Sequence, residues 1–252
     1  MIDRNVLLTE LDSVLQPERF KDVAPNGLQV EGRRDVQRIV SGVSASVALI
    51  EAAIGAQADA IFVHHGLFWR GQDARITGWL RQRLGLLLQH NINLYAYHLP
   101  LDAHPEWGNN AQWGQVLGLV ADGRFGDQQL GWLGHPGTAP ADNVTQFAQH
   151  IGAVLDRVPT VIDASGGRPV SRVAWCSGGA QSYFEAAIAA GTEVFLTGEI
   201  SEQHVHFARE AGVSFIACGH HASERYGAPA CMAALAQRLG LDHEFIEIGS
   251  PA

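Results

Sequence analysis

Glu51-Ala52-Ala53-Ile54 returns 134 positions later as Glu185-Ala186-Ala187-Ile188, and Val36-x-Arg38-Ile39 returns at the same offset as Val170-x-Arg172-Val173. Each copy of the alanine-rich segment precedes an acidic residue and an apolar run, Asp59 with Ile61-Phe62 and Glu193 with Phe195-Leu196. Further along, Gln115-x-Leu117-Gly118-Leu119 meets Gln237-x-Leu239-Gly240-Leu241 at an offset of 122. Alanine-rich helices and Leu-Gly turns recur by chance, but three matches in one order with a single change of register favour an internal duplication. The fall from 134 to 122 predicts 12 extra residues in the first copy, including the Trp69-Arg70-Gly71-Gln72 loop.

Elements within each copy alternate as in an α/β protein. The pattern predicts a helix over 6–15, a loop at Pro25-Asn26-Gly27, a strand at Ile39-Val40 and a helix over 47–56 capped by Ser46. A strand ending at His64-His65, a helix over 79–89 and a strand over 92–97 follow. The expected fold is α/β and internally duplicated, with a first repeat over 1–125 and, within 126–252, a linker containing 131–137 and a second repeat. Two such units are expected to pack about a pseudo-twofold axis. A ligand would then bind in the cleft between them, beyond the strand ends, where open α/β sheets collect ligands.

The strand ends carry the chemistry. Ala60-Ile61-Phe62-Val63 runs into His64-His65-Gly66. Neighbouring side chains of a strand point to opposite faces, so Gly66 is expected to let the backbone leave the sheet and turn both rings into one cleft. At offset 134 this pair matches Gly198-Glu199, and at offset 122 His98 falls on His220 and Asp102 on Glu224. Each copy therefore sets an imidazole and a carboxylate one helical turn apart, just after a strand. Pro100 makes the first copy the less regular helix. Imidazole suits zinc, iron, copper or nickel, and carboxylate oxygens add manganese and magnesium. Three histidines with two or more carboxylates point to a pair of divalent cations that activates water for hydrolysis. His90, His135, His150 and His243 are read as surface or structural residues, and His104 and His204 stay open. His206, near Glu199 in sequence, is expected as an outer hydrogen-bonding partner of the site.

The formal net charge of −9 opposes attraction to a phosphate backbone, and no basic cluster compensates, so nucleic acid is not an expected partner. Charged residues throughout the first 20 positions exclude a secretory signal core, and no apolar run is long enough to span a membrane. Cys176, Cys218 and Cys231 are odd in number and lack CxxC spacing, which fits a reducing cytoplasm better than a disulfide framework or thiolate zinc site. Cys218 lies beside the apolar Phe215-Ile216-Ala217 strand and reads as a buried thiol rather than a nucleophile. A phosphate-binding G-x-x-x-x-G-K-[ST] loop, a G-x-G-x-x-G after a strand, a G-x-S-x-G elbow and H-E-x-x-H are all absent.

The segments V-H-H-G-L-F-W, H-L-P-L-D-x-H-x-x-x-G-N-N, T-G-E-I-S-E-Q and G-H-H-A-S-E-R, in this order across nearly the whole chain, resemble the YbgI-like, or Nif-three-like, dinuclear-metal family. Many of its members carry the label GTP cyclohydrolase type-two homologue. The resemblance implies metal ligation by His64, His65, Asp102, His220 and Glu224, with two divalent ions per chain of the zinc, iron, manganese or nickel kind. It also implies a duplicated α/β fold and a toroidal homohexamer built from trimers. His98 matches a family motif but is not among the five, so it is expected to support the ligands from outside. Glu199 has the same status and is in addition the candidate catalytic base; its plainer role would be to cap the helix beginning near Ser201.

These readings converge on a dinuclear metal-dependent hydrolase that opens a C–N, amide or phosphoester bond in a small-molecule substrate, with a nucleotide among the candidates. GTP ring opening is the version implied by the family label. The alternative is a non-catalytic metal-binding oligomeric scaffold or metallochaperone that recruits a partner.

Overall fold

Apolar runs bounded by an acid on one side and glycine or histidine on the other become the inner strands of two parallel arrays. The computed structural model describes residues 1–252 and divides into two compact units, Met1–Gly108 with Gly227–Gly249, and Asn109–Tyr226 with Ser250–Ala252. The first unit opens with β1 (Ile2–Asp3), α1 (Arg4–Leu15), β2 (Gly27–Val30), β3 (Asp35–Val36), β4 (Arg38–Ser44) and α2 (Val47–Gly55). It continues with β5 (Ala60–His65), α3 (Gly78–His90), β6 (Asn93–Ala96) and α4 (Leu99–Ala103). The second unit holds α5 (Asn109–Val116), β7 (Val120–Phe125), β8 (Gly131–His135), α6 (Val144–Leu155), β9 (Thr160–Ile162) and β10 (Val173–Trp175). It ends with α7 (Phe184–Ala189), β11 (Val194–Thr197), α8 (Glu202–Ala211), β12 (Ser214–Ala217) and α9 (His220–Glu224). The chain then returns to the first unit with α10 (Gly227–Leu239) and β13 (Asp242–Phe245).

In the first unit five strands lie in the order β13-β4-β5-β6-β2, parallel except for β2. Both faces are covered, which is why these strands read as continuous apolar runs rather than alternating ones. Leu7, Leu11 and Leu15 of α1, spaced by one helical turn, join Met232 and Leu235 of α10 over Ile39, Phe62 and Tyr95. On the opposite face Leu49 and Ile50 of α2 and Leu80, Leu84 and Leu87 of α3 cover Val40, Ile61, Val63 and Leu94. Each such side chain is worth roughly 1.5–3 kcal/mol when fully buried.

The second unit orders its strands β7-β8-β10-β11-β12-β9, with β10, β11 and β12 parallel and the others antiparallel. Val144, Phe147, Ile151 and Leu155 of α6 pack with Trp113 and Leu117 over Val173, Trp175, Val194 and Ile216. Phe184, Phe195 and Phe215 pack against one another, with ring centroids 4.9–5.8 Å apart.

Matched positions make the same backbone bonds. Asp59 accepts the amides of Gln37 and Arg38 at 2.8 and 2.9 Å, and Glu193 those of Ser171 and Arg172 at 2.7 and 3.0 Å. Ile39 is registered with Ala60 as Val173 is with Val194, all four at offset 134. Past the next strand, the Tyr97 amide donates to Val63 as the Cys218 amide does to Thr197, an offset of 121 on the Tyr97 side. Between these matched bonds the first unit thus has 13 extra residues where 12 were expected, and Gly219, at φ 96°, is one residue regained in the second unit before His220.

Three local expectations change. Residues 131–135 are strand β8, not linker. A Cβ at Gly134 would strike the Val120 carbonyl, and one at Gly131 the Phe125 ring, so these glycines serve close strand approach. The sheet does not break at the histidine pair: β5 includes both residues, and Gly66 has no positive φ. Gly66 is small because Gln29 packs where a Cβ would lie. Pro100 does not spoil α4, because it occupies the first turn, where its missing N–H costs no bond.

Candidate metal centre

In the first unit β5, the N-cap residue of α4 and α4 itself bring four donors together. The His64 and His65 ring centroids lie 4.4 Å apart, and His98 is 5.0 Å from the first and 5.8 Å from the second. One ligating atom from each of these imidazoles falls within 4.8 Å of the others. His64 is fully buried and donates Nδ1–H to the Tyr97 carbonyl at 3.1 Å, which puts its lone pair on Nε2, 3.6 Å from Asp102 Oδ1. His65 Nδ1 meets Ser44 Oγ at 3.0 Å. Asp102 is buried on α4, four residues from His98, whose carbonyl accepts its amide at 3.2 Å.

A side chain that the sequence pattern did not single out completes this group. Asp22, 3% exposed, meets His98 Nδ1 at 2.8 Å. The amides of Val23 and Leu99 and the Asn26 side chain also donate to it, and Asn26 Oδ1 in turn accepts the His98 amide at 2.7 Å. Burial alone would raise the Asp22 carboxyl; the hydrogen bond and charge of His98, with Asn26 and Leu99, outweigh it and hold the group well below the usual carboxylate range. Asp22 stands 76 residues from His98 with no motif around it, so no local signal marks it.

In the second unit α9 sets His220 Nε2 3.1 Å from Glu224 Oε2, and Glu199, just after β11, meets His220 Nδ1 at 2.6 Å. Glu224 is buried. The hydrogen bond that His220 donates to Glu224 raises the imidazole to about 9 against the opposing effect of burial, with the Glu224 charge and Glu199 adding to the rise. Gly178, at φ 69°, lies against this pair: a Cβ there would fall on the Glu224 carboxylate, 2.9 Å from Cδ, and 3.3 Å from His220 Nε2. Ser223 Oγ accepts the Gly178 amide at 2.9 Å and fixes the turn.

The helix after Glu199 is capped by Ser201 and His204, whose Nδ1 accepts the Ser201 amide at 3.2 Å, so Glu199 is not its cap. His206 is exposed on α8 with no hydrogen bond to Glu199. His150 and His243 are structural, with Nε2 bonded to the Leu117 carbonyl and Ser41 Oγ at 3.0 and 2.8 Å. His104 accepts the Trp107 amide at 2.9 Å and stacks on that ring. Cys218 is buried, and burial pushes its thiol well above the ordinary range, the reverse of an activated nucleophile.

Imidazole nitrogens and carboxylate oxygens, buried or half-buried and with Nδ1 anchored, are the donor set of a first-row divalent cation, so the His, Asp and Glu groups fit a metal. No helix is long and apolar enough to cross a membrane, and no cysteine forms a disulfide.

A Pseudomonas aeruginosa protein named GTP cyclohydrolase 1 type 2 homolog is 50% identical over 254 residues, covering 98% of each chain. A Neisseria meningitidis serogroup A protein of the same name is 47% identical over 252 residues, covering 100% of both. Among solved structures, protein ybgI, of unknown function, aligns with a TM-score of 0.95 at 45% identity, covering 100% of both chains. TTHA1606 from Thermus thermophilus aligns with a TM-score of 0.90 at 34% identity over 100% of both. Residues 2–251 match the model of one family along essentially their whole length. The chain belongs to the Duf34/NIF3 (NGG1p interacting factor 3) family.

Proposed function

We propose that the chain is a dinuclear metal-dependent hydrolase in which the donors of both units serve one centre. His64, His65 and Asp102 would come from the first unit, and His220 and Glu224 from the second, holding two divalent ions of the zinc, iron, manganese or nickel kind. The observation that carries this reading is the anchoring of each of these imidazoles through Nδ1, by Tyr97, Ser44 and Glu199. That arrangement commits Nε2 to ligation. Duplication of an ancestral α/β unit is part of the proposal, and the matched bonds of Asp59 and Glu193 support it. The linear halves 1–125 and 126–252 would be its copies.

When bound, the divalent ions supply a lowered water pKa and a counter-charge for an oxyanion. The protein's own groups do the rest. Asp102 and Glu224 bring buried negative charge to balance the cations. Glu199 orients His220 through Oε1, and its half-exposed carboxylate accepts a proton from the attacking water. The substrate is a small molecule, with a nucleotide among the candidates, attacked at a C–N, amide or phosphoester bond; the ring-opening version follows the name of the relatives. A toroidal homohexamer rests on family resemblance alone.

Anaerobically purified, metal-loaded protein incubated with a metabolite extract tests the reading. The hydrolase gains support from a product that disappears with His64→Ala and declines with Glu199→Gln while metal is retained. Full metal loading with no turnover of any component would overturn it in favour of a metal-binding scaffold.

A further inference from the structure

We infer that Ile76, Trp79 and Arg83, on α3 and the segment leading into it, form a docking surface for another protein, whose contact is a short acidic peptide segment bearing a large apolar side chain. None of these residues belongs to the histidine and carboxylate groups, so the surface is independent of whether a cation binds there.

The fold gives these side chains no inward role. Helix α3 buries Leu80, Leu84 and Leu87 against the sheet. Trp79 and Arg83, four residues apart, share a flank beside that buried stripe. The Arg83 guanidinium carbon sits over the Trp79 ring, 4.7 Å from its centroid, yet Trp79 stays 52% exposed and Ile76 58%. A lone exposed apolar residue is ordinary. A tryptophan stacked by an arginine, with a second exposed apolar residue three positions away, has the composition of an interface hot spot. The interval from Val63 to Tyr97 that carries them is 13 residues longer than its counterpart from Thr197 to Cys218. The helix of that counterpart, α8, has Glu202 and Glu210 against Arg209 and no tryptophan, so an α/β unit of this kind does not require the surface.

Charge decides the occupant. Residues 70–83 hold four arginines, Arg70, Arg75, Arg81 and Arg83, against Asp73 alone, a net of +3 in a chain of −9. Asp73 is taken by Arg75, and Arg70 donates to the Asp22 carbonyl. No carboxylate acts on Arg83: burial alone lowers its guanidinium, and its Nε is buried without a hydrogen-bond partner. A small tilt of the guanidinium on the indole presents Nε and an Nη together, the edge that a carboxylate takes bidentately. Trp79 and Ile76 would then receive the apolar side chain. A nucleic acid or an anionic membrane meets the repulsion of the whole chain, whereas a short segment feels mainly the charges within about 8 Å.

Selection of a random-peptide phage library on the full chain, with the Trp79→Ala chain as the subtraction, tests the surface; fluorescence anisotropy of the enriched peptides follows. Peptides with acidic residues around an aromatic residue or leucine are expected. Trp79→Ala and Arg83→Gln should each weaken their binding at least about 10-fold, at unchanged melting temperature. Arg83→Lys should recover only part of the loss, because lysine keeps the charge and lacks the fork. Leu88→Ala, at an exposed position elsewhere on α3, should bind as the wild type does. Failure to enrich acidic peptides over the subtraction, or equal binding by Arg83→Gln, would overturn the inference. So would single-stranded DNA or anionic vesicles that bind in place of the peptides and are released by the same substitutions. A change in sedimentation of Trp79→Ala without peptide would give the surface to a second copy of the chain and overturn it as well.

Discussion

His220 lies between Glu199 and Glu224, and that position has a consequence for pH. Its pKa is raised from 6.5 to about 9 in the fold, so the charged pairing stabilises metal-stripped protein fully below about pH 6.5 and is lost as pH climbs through about 9. Denaturant titration of stripped protein between pH 6 and 10 is expected to show this decline, and His220→Gln to flatten it. A cation must displace the same proton, so apparent Zn²⁺ affinity should rise with pH across that window. Gly178 offers a second test at this scale. Gly178→Ala meets both a positive φ and the Glu224 carboxylate, and should cost about 1–3 kcal/mol in thermal unfolding with weakened cation binding. Gly166→Ala, at φ 63° with nothing within 4 Å of its Cβ, pays only the backbone term of about 1 kcal/mol. The grouping of these histidines and acids was legible because the residue types recur at strand ends. Asp22 was not, because its partner is distant in sequence and a lone aspartate in a loop carries no pattern.

Among the elements, the acid that precedes each middle strand does structural duty. Asp59 ties down two amides of the preceding strand region and the Arg33 guanidinium, and its side chain is 15% exposed; Glu193 has equivalent backbone partners but is exposed. Asp59→Ala should therefore cost about 1–3 kcal/mol, and Glu193→Ala no more than about 1 kcal/mol because water replaces its bonds; equilibrium unfolding of both variants checks the difference. Strands β4, β5 and β6 were readable from apolar runs, and the Ser46 cap of α2 from its residue type; that side chain accepts the Leu49 amide at 3.2 Å. Strand β8 was misread because glycine marks both turns and close packing, and only the Phe125 ring and Val120 carbonyl distinguish them. The paired histidines converge while still in β5, so alternation along a strand did not forbid what Gly66 was expected to permit.

For the molecule as a whole, the proposed linear repeat and the compact units do not share boundaries. Helix α10 and strand β13 return to the first unit, where Met232 and Leu235 cover the face of Phe62 and β13 pairs with β4. Residues 1–125 expressed alone would expose Ile39, Phe62 and Tyr95, and should give a poorly dispersed NMR spectrum, whereas a well-dispersed one would contradict the assignment of these elements. The matched helix and strand motifs were visible in sequence because they keep their spacing, while the return of α10 and β13 to the first unit depends on packing that no motif records. Donors from both units are proposed to hold a pair of cations. Electron paramagnetic resonance of the Mn²⁺-loaded chain tests it most directly. Two ions per chain with the signal of a coupled pair about 3.5–4 Å apart, abolished by His64→Ala and by His220→Ala alike, is the predicted result; saturation at one ion, or an isolated-ion signal at full loading, would contradict it.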